Sequence, residues 1–170
     1  NRILRKKMNG IMFQGTGSNV GKSILVAGLC RLARNKKILV APFKPQNMSN
    51  NSFVTIDNGE IGRSQAFQAF ASGITPHSNM NPILLKPESN SKTQIIVKGK
   101  KFKTIDSKNY KFYKKKLVEI AFESYLELKK KYDLVIVEGA GSPAEINLRN
   151  NDLANMGFAN KAKIPVILIG

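Results

Sequence analysis

The clearest chemistry in this chain lies in a run of small and polar residues, Gly15-Thr16-Gly17-Ser18-Asn19-Val20-Gly21-Lys22-Ser23. It follows the apolar stretch Ile11–Gln14 and opens a helix-forming stretch from Lys22 to about Arg34. Between a strand and a helix, successive backbone N–H groups present positive potential, and glycines let phosphate oxygens come close. Lys22 is placed to reach the β- and γ-phosphates of ATP, and the Ser23 hydroxyl to ligate Mg²⁺. The common G-x-x-x-x-G-K-[ST] spacing is not strictly met: Thr16 stands at the first-glycine position and Gly15 lies one residue earlier. A ligand-free strand-to-helix turn is the alternative, and it leaves the tandem lysine and hydroxyl unexplained.

Glu138 is the second element of such a site. It ends the apolar stretch Leu134–Val137, and ligands of open α/β sheets bind at the carboxyl ends of strands. A carboxylate there can hold Mg²⁺ or its water shell beside Ser23. Gly139 and Gly141 would let the backbone crowd a ligand; otherwise Glu138 is a strand-end acid capping the next segment. Glu60 is a further candidate for the metal shell, or a first-turn acid that favours its helix. Asp152 binds metal or orients an acyl acceptor, or it is the N-cap of the helix that follows.

The elements that must position these groups alternate. Ile38–Ala41 reads as a strand ended by Pro42 and Pro45, and Glu60–Ser72 as a helix closed by Gly73. Ile83–Leu85 and Gln94–Val97 read as short strands separated by a turn. Lys108–Lys131 reads as a long amphipathic helix with Leu117, Ile120, Ala121, Ser124 and Leu128 on one face. Leu134–Val137 is a buried strand, Asp152–Lys161 a helix and Pro165–Ile169 another buried strand. Continuously apolar strands alternating with helices imply an α/β fold, a mostly parallel sheet with helices on both faces.

Composition bounds the rest. A chain of 170 residues with 42% apolar and 23% charged residues has the balance of one globular α/β domain. No apolar run approaches the roughly 18 residues of a membrane span. The single cysteine, Cys30, excludes an internal disulfide framework and suits a reducing, cytoplasmic setting. The net charge is +17, concentrated in Lys98, Lys100, Lys101, Lys103, Lys108, Lys111, Lys114, Lys115 and Lys116, opposed only by Asp106. That stretch reads as a solvated surface; without the pattern of a known RNA-binding module, nucleic acid is a minor expectation.

Four stretches carry a family resemblance. They are Ala41–Ser52 (with Lys44-Pro45-Gln46-Asn47), Glu60–Ala66, Met80–Pro87, and Glu138–Arg149 leading to Asp152–Gly157. In this order, from about Met8 to Gly170, the chain resembles the N-terminal synthetase domain of glutamine-hydrolysing cobyric acid synthase, a dethiobiotin synthetase-like P-loop NTPase. The Gly-Thr start of the phosphate loop is also similar to dethiobiotin synthetase. The resemblance implies a synthetase domain over residues 8–170, incomplete at its C-terminal side, with residues 1–7 outside it.

The resemblance implies ATP-dependent amidation of side-chain carboxylates of adenosylcobyrinic acid a,c-diamide through an acyl phosphate, with a corrinoid substrate and glutamine-derived ammonia. Lys44 is then a second cation for a substrate carboxylate or the γ-phosphate, or else a surface lysine by a proline turn. Gln46, Asn47, Asn50 and Asn51 suit reading carboxylates and carboxamides on the corrin rim, or they stabilise turns. Arg149 could meet a carboxylate, or is a surface charge.

Glutamine hydrolysis needs a reactive cysteine with a histidine and an acid. Cys30 reads as a core residue and His77 as a solvated loop residue, so the glutaminase domain is expected elsewhere. Cobyrinic acid a,c-diamide synthase, dethiobiotin synthetase and a ParA-like DNA-partitioning ATPase are the alternatives, and a homo-oligomer is admitted.

Overall fold

The computed structural model describes residues 10–89, 91–141 and 152–170. The expected extension over residues 1–7, the stretch 142–149 and Arg149 within it lie outside the described residues.

The main sheet is wholly parallel. Its strands β1 (Gly10–Gly15), β2 (Val40–Phe43), β9 (Leu134–Glu138) and β10 (Val166–Ile169) run in the order β10-β1-β9-β2. Side chains alternate between two helical layers, as a sheet buried on both faces requires. On one face Met12, Ala41, Phe43, Val135 and Val137 meet Tyr125, Leu128 and Phe158 of helices α3 (Lys114–Lys131) and α4 (Met156–Ala162). On the other, Phe13, Val40 and Ile136 meet Val26, Cys30 and Ala33 of α1 (Lys22–Asn35). The α/β reading with helices on both faces therefore holds.

Pro42 does not end the second strand but lies inside it, paired with Ile136. A strand with a partner on one side only can accommodate a residue without an N–H donor, and β2 has that place among the described strands. β10 also lies outermost among them, and so it is less covered than expected: Ile167 and Leu168 are exposed.

A second sheet was not foreseen. Strand β3 (Gln46–Met48) pairs in parallel with β6 (Ile83–Pro87), which continues antiparallel into β7 (Lys92–Val97) and β8 (Lys100–Asp106). Ile83, Leu85, Ile95 and Ile105 of this sheet pack on Leu117 and Ala121 of α3. The β7–β8 turn is made by Lys98 and Gly99, both at positive φ (45° and 77°), the geometry that tight hairpins prefer. Part of the lysine cluster is thus a strand, with Lys100, Lys101 and Lys103 exposed along the outer edge. Charged edge strands resist pairing with other chains. Lys116 sits 5.3 Å over the Phe102 ring and Lys103 5.6 Å over Tyr113.

The helix expected from Glu60 begins later. Glu60 belongs to β5 (Glu60–Gly62), which forms a hairpin with β4 (Ser52–Val54), and α2 spans Arg63–Ser72. The long helix starts at Lys114, preceded by a 3-10 helix over Ser107–Phe112. Tyr125 joins Leu117, Ala121, Ser124 and Leu128 on its buried face. Among the described residues no helix is long and apolar enough to cross a membrane.

Candidate active site

The loop between β1 and α1 places its glycines for distinct reasons. Gly21 precedes the helix in the left-handed region (φ 86°), where a side chain would be strained. Gly15 is required by packing. A Cβ there would stand 2.5 Å from Val20 Cγ2 and 2.8 Å from Lys22 Nζ, so the lysine can cross the loop only because the residue is glycine. Lys22 folds back and its ammonium donates to the Gly17 carbonyl. Burial lowers its pKa below the 10.5 of a free side chain, Lys44 lowers it further, and the Glu138 carboxylate partly offsets both. No acidic residue stands within the first turn of α1 itself, so the negative charge at its start comes from Glu138 across the sheet.

Glu138 forms the centre of the site. Only 1% exposed, its carboxylate would be costly without partners. Its Oε1 accepts from the Ser23 hydroxyl at 2.9 Å and from Lys44 Nζ at 2.7 Å. Its Oε2 accepts from Gln68 Nε2 and, at 3.5 Å, from Gln65 Nε2. Gln68 also donates to the Ser23 carbonyl at 3.2 Å, tying the start of α1 to α2. Gln65 in turn accepts from Asn47 Nδ2 at 2.8 Å, an approach that Gly62 permits, since a Cβ there would stand 2.1 Å from that nitrogen.

A cavity of about 470 Å³ opens beside this cluster, lined by Ser18, Lys22, Ser23, Lys44, Gln46, Asn47, Met48, Glu138 and residues of the facing turns, Ala140, Gly141 and Ala154. The loop, the acid at the end of β9, Lys44 and the first part of the Gln-Asn segment therefore converge on one cavity. Ser23 and Glu138 offer oxygens side by side, the donor type that hard divalent cations prefer.

Other candidates go elsewhere. Glu60 does not line the cavity; its carboxylate pairs with Lys86 at 2.8 Å, which together with a Ser52 hydrogen bond outweighs the effect of burial and lowers its pKa. Asp152 is buried and its oxygens serve backbone amides: Ala154 N at 2.9 Å, Asn155 N at 3.0 Å and Gly157 N at 3.2 Å. It caps the turn into α4, which explains why that helix begins only at Met156. Asn50 and Asn51 are exposed in the β3–β4 turn, where Asn51 N donates to Ser49 Oγ at 3.1 Å and its carbonyl accepts from Arg63 N at 3.1 Å. The space beside Gly139 is used by protein, since a Cβ would stand 2.4 Å from Asn155 Oδ1. Cys30 is fully buried, and burial pushes its thiol up to about 11. His77 accepts from Asn79 N through Nδ1, with Nε2 3.8 Å from Asp57.

Residues 11–166 match the model of the CobQ/CobB/MinD/ParA nucleotide binding domain, called CbiA. The chain belongs to this family. Within the CbiA family it is similar to proteins named cobyric acid synthase. It is 60% identical to that of Jannaschia sp. (strain CCS1) over 160 residues, 94% of this chain and 33% of the relative. It is also 60% identical to that of Rhodobacter capsulatus over 163 residues, and 56% identical to that of Bradyrhizobium diazoefficiens over 160. The chain spans about a third of the length of these relatives.

This CbiA domain also uses residues that were not singled out from sequence. Gln65 and Gln68 hold Glu138, and Tyr110 touches Gln46. The one sequence signal for the glutamines is their spacing of three on a helix otherwise rich in alanine, which places them on one face.

Proposed function

We propose that this chain is the ATP-binding synthetase portion of a cobyric acid synthase, in which side-chain carboxylates of a corrinoid diamide are amidated. The observation that carries the reading is the convergence of Ser23 and Lys44 on one oxygen of the buried Glu138, at 2.9 and 2.7 Å, inside the cavity that Lys22 lines. The relatives' shared name supplies the class of substrate.

In this reading the phosphate chain lies along the loop Gly15–Ser23, held by backbone amides and by Lys22, which leaves the Gly17 carbonyl for the β- and γ-phosphates. Ser23 and Glu138 would hold Mg²⁺, which neutralises phosphate charge when bound. Among the described residues no three acidic, cysteine or histidine side chains cluster, so the remaining ligands would come from phosphate and water, the usual habit of this ion. With Mg²⁺ held there, Lys44 would be free to leave Glu138 for the substrate carboxylate and the γ-phosphate. A carboxylate oxygen attacks the γ-phosphorus, the bond to the β-phosphate bridging oxygen breaks, and ADP leaves. Ammonia then attacks the acyl carbon of the acyl phosphate, phosphate departs and a proton is lost, leaving the carboxamide. Positioning and charge neutralisation do the catalytic work of the first step. The ammonia would be drawn from glutamine by a part of the protein other than this domain.

The test is ATP binding and ATP-dependent amidation in the full-length protein, with ammonia supplied directly. Lys22→Ala is expected to abolish both; unchanged amidation in that variant would remove the loop from the mechanism.

A further inference from the structure

One wall of the cavity is set by a residue outside the nucleotide machinery. Gln46 lines the cavity from β3, and the Tyr110 hydroxyl donates to its Oε1. Tyr110 stands in the 3-10 helix Ser107–Phe112, its ring packed against the core of the second sheet. Burial pushes the phenol's pKa well above its ordinary value, so it keeps its proton across the working range of any enzyme near neutrality. A neutral phenol has one proton to give, and the Gln46 carbonyl receives it. The reverse orientation of the amide would let its N–H₂ donate to the phenol oxygen, but the phenol proton would then have no acceptor among the described residues. Among the described residues Nε2 of Gln46 makes no hydrogen bond, which leaves it as a donor for the cavity. The Asn47 donor, by contrast, is used by Gln65 at 2.8 Å.

We propose that Tyr110 is a positioning residue that fixes the polarity of Gln46, so that the site binds a substrate carboxylate and disfavours the carboxamide it becomes. The inference rests on the ligase reading above. Lys44 and Gln46 both line the cavity, and Lys44, once freed from Glu138, would join Gln46 Nε2 in offering N–H groups to it. A carboxylate has two acceptor oxygens and satisfies both donors. A primary carboxamide has one, and its own N–H₂ then faces a donor, which leaves hydrogen bonds unmade. The wall that holds the acid therefore releases the amide. In a protein that amidates several similar carboxylates, this distinction separates sites still to react from those already converted.

The experiment compares wild type, Tyr110→Phe, Gln46→Leu and the double variant in the full-length protein, with MgATP and ammonia. It reads KM for the corrinoid carboxylate substrate, KM for ATP and the inhibition constant of the carboxamide product; thermal unfolding confirms folding. Phenylalanine keeps the ring and removes only the hydroxyl. Tyr110→Phe is expected to raise substrate KM about three- to tenfold, the size of one lost hydrogen bond, while KM for ATP stays unchanged. The ratio of product inhibition constant to substrate KM falls by a similar factor, and the double variant matches Gln46→Leu alone. A folded Tyr110→Phe protein with that ratio unmoved, or additive effects in the double variant, overturns the role of Tyr110 while leaving the ligase reading intact. Wild type showing no carboxylate-dependent ATP turnover overturns both.

Discussion

Lys44 Nζ lies 2.7 Å from Glu138 Oε1, in a pair whose side chains are 10% and 1% exposed. Two charges so far from water are held by geometry rather than by net attraction, and removing one strands the other. Glu138→Gln would leave the Lys44 ammonium unpaired with Lys22 nearby, and is expected to destabilise the domain by about 3–5 kcal/mol in urea unfolding. Lys44→Met combined with Glu138→Gln removes both charges and keeps one acceptor oxygen, for Ser23 or for Gln68. Part of that loss should be recovered, the remainder reflecting the donor left facing the amide N–H₂. A double variant no more stable than the single would show that the pair is not the source of the cost.

Lys22 gives a pH dependence whose two parts have opposite sign. Its folded-state pKa is lowered by burial and by Lys44, against a partial offset from Glu138. Between that lowered value and 10.5, the unfolded chain binds more protons than the folded one, so the ligand-free domain gains stability as pH rises through this window. Phosphate binding needs the ammonium, so ATP affinity falls over the same window. Calorimetric titrations in buffers of different ionisation enthalpy are expected to show proton uptake on ATP binding there. Lys22→Met should abolish the uptake and the pH trend in stability together.

Gly15 is where the loop departs from the usual spacing, and its packing gives a test of that departure. The Cβ of an alanine would stand 2.5 Å from Val20 Cγ2 and 2.9 Å from Lys22 Cδ. Overpacking of this kind costs about 1–3 kcal/mol, and the side chain displaced is the one proposed to hold phosphate. Gly15→Ala is expected to weaken ATP binding at least tenfold while the domain remains folded. Gly17, whose nearest Cβ neighbour would be Val20 Cγ1 at 3.7 Å, has room for a methyl group, so Gly17→Ala should be milder in thermal unfolding.

The parts of this site that were legible in sequence are those made by short-range chemistry. A glycine loop, a lysine and a serine in succession, and an acid at the end of an apolar strand each announce their geometry locally. Gln65 and Gln68 did not, because a polar residue on a helix ordinarily faces water, and only the fold turns this face onto Glu138. Strand β8 was hidden for a similar reason. Its lysines lie at an exposed edge, where pairing with β7 outweighs weak strand propensity. Asn50 and Asn51 share a composition with Gln46 and Asn47, and spacing alone could not show that the strand ends at Met48, leaving the later pair in a turn.

Asp152 separates a chemical role from an architectural one. Its three amide partners lie at 2.9 to 3.2 Å, and together they shape the turn that brings Ala154 to the cavity wall. Asp152→Asn keeps one acceptor oxygen and exchanges the other for an N–H₂ group, which would face the Ala154 and Asn155 amides or the Gly157 amide. One or two charge-assisted hydrogen bonds are then lost, and unfolding should show a loss of about 2–3 kcal/mol. If its work is confined to the turn, ATP affinity measured well below the unfolding temperature stays within about twofold of wild type, because the variant spares every group aimed at phosphate. A metal ligand would behave in the opposite way, losing affinity for MgATP tenfold or more with little change in stability. Measuring both quantities on the same variant decides between the two roles.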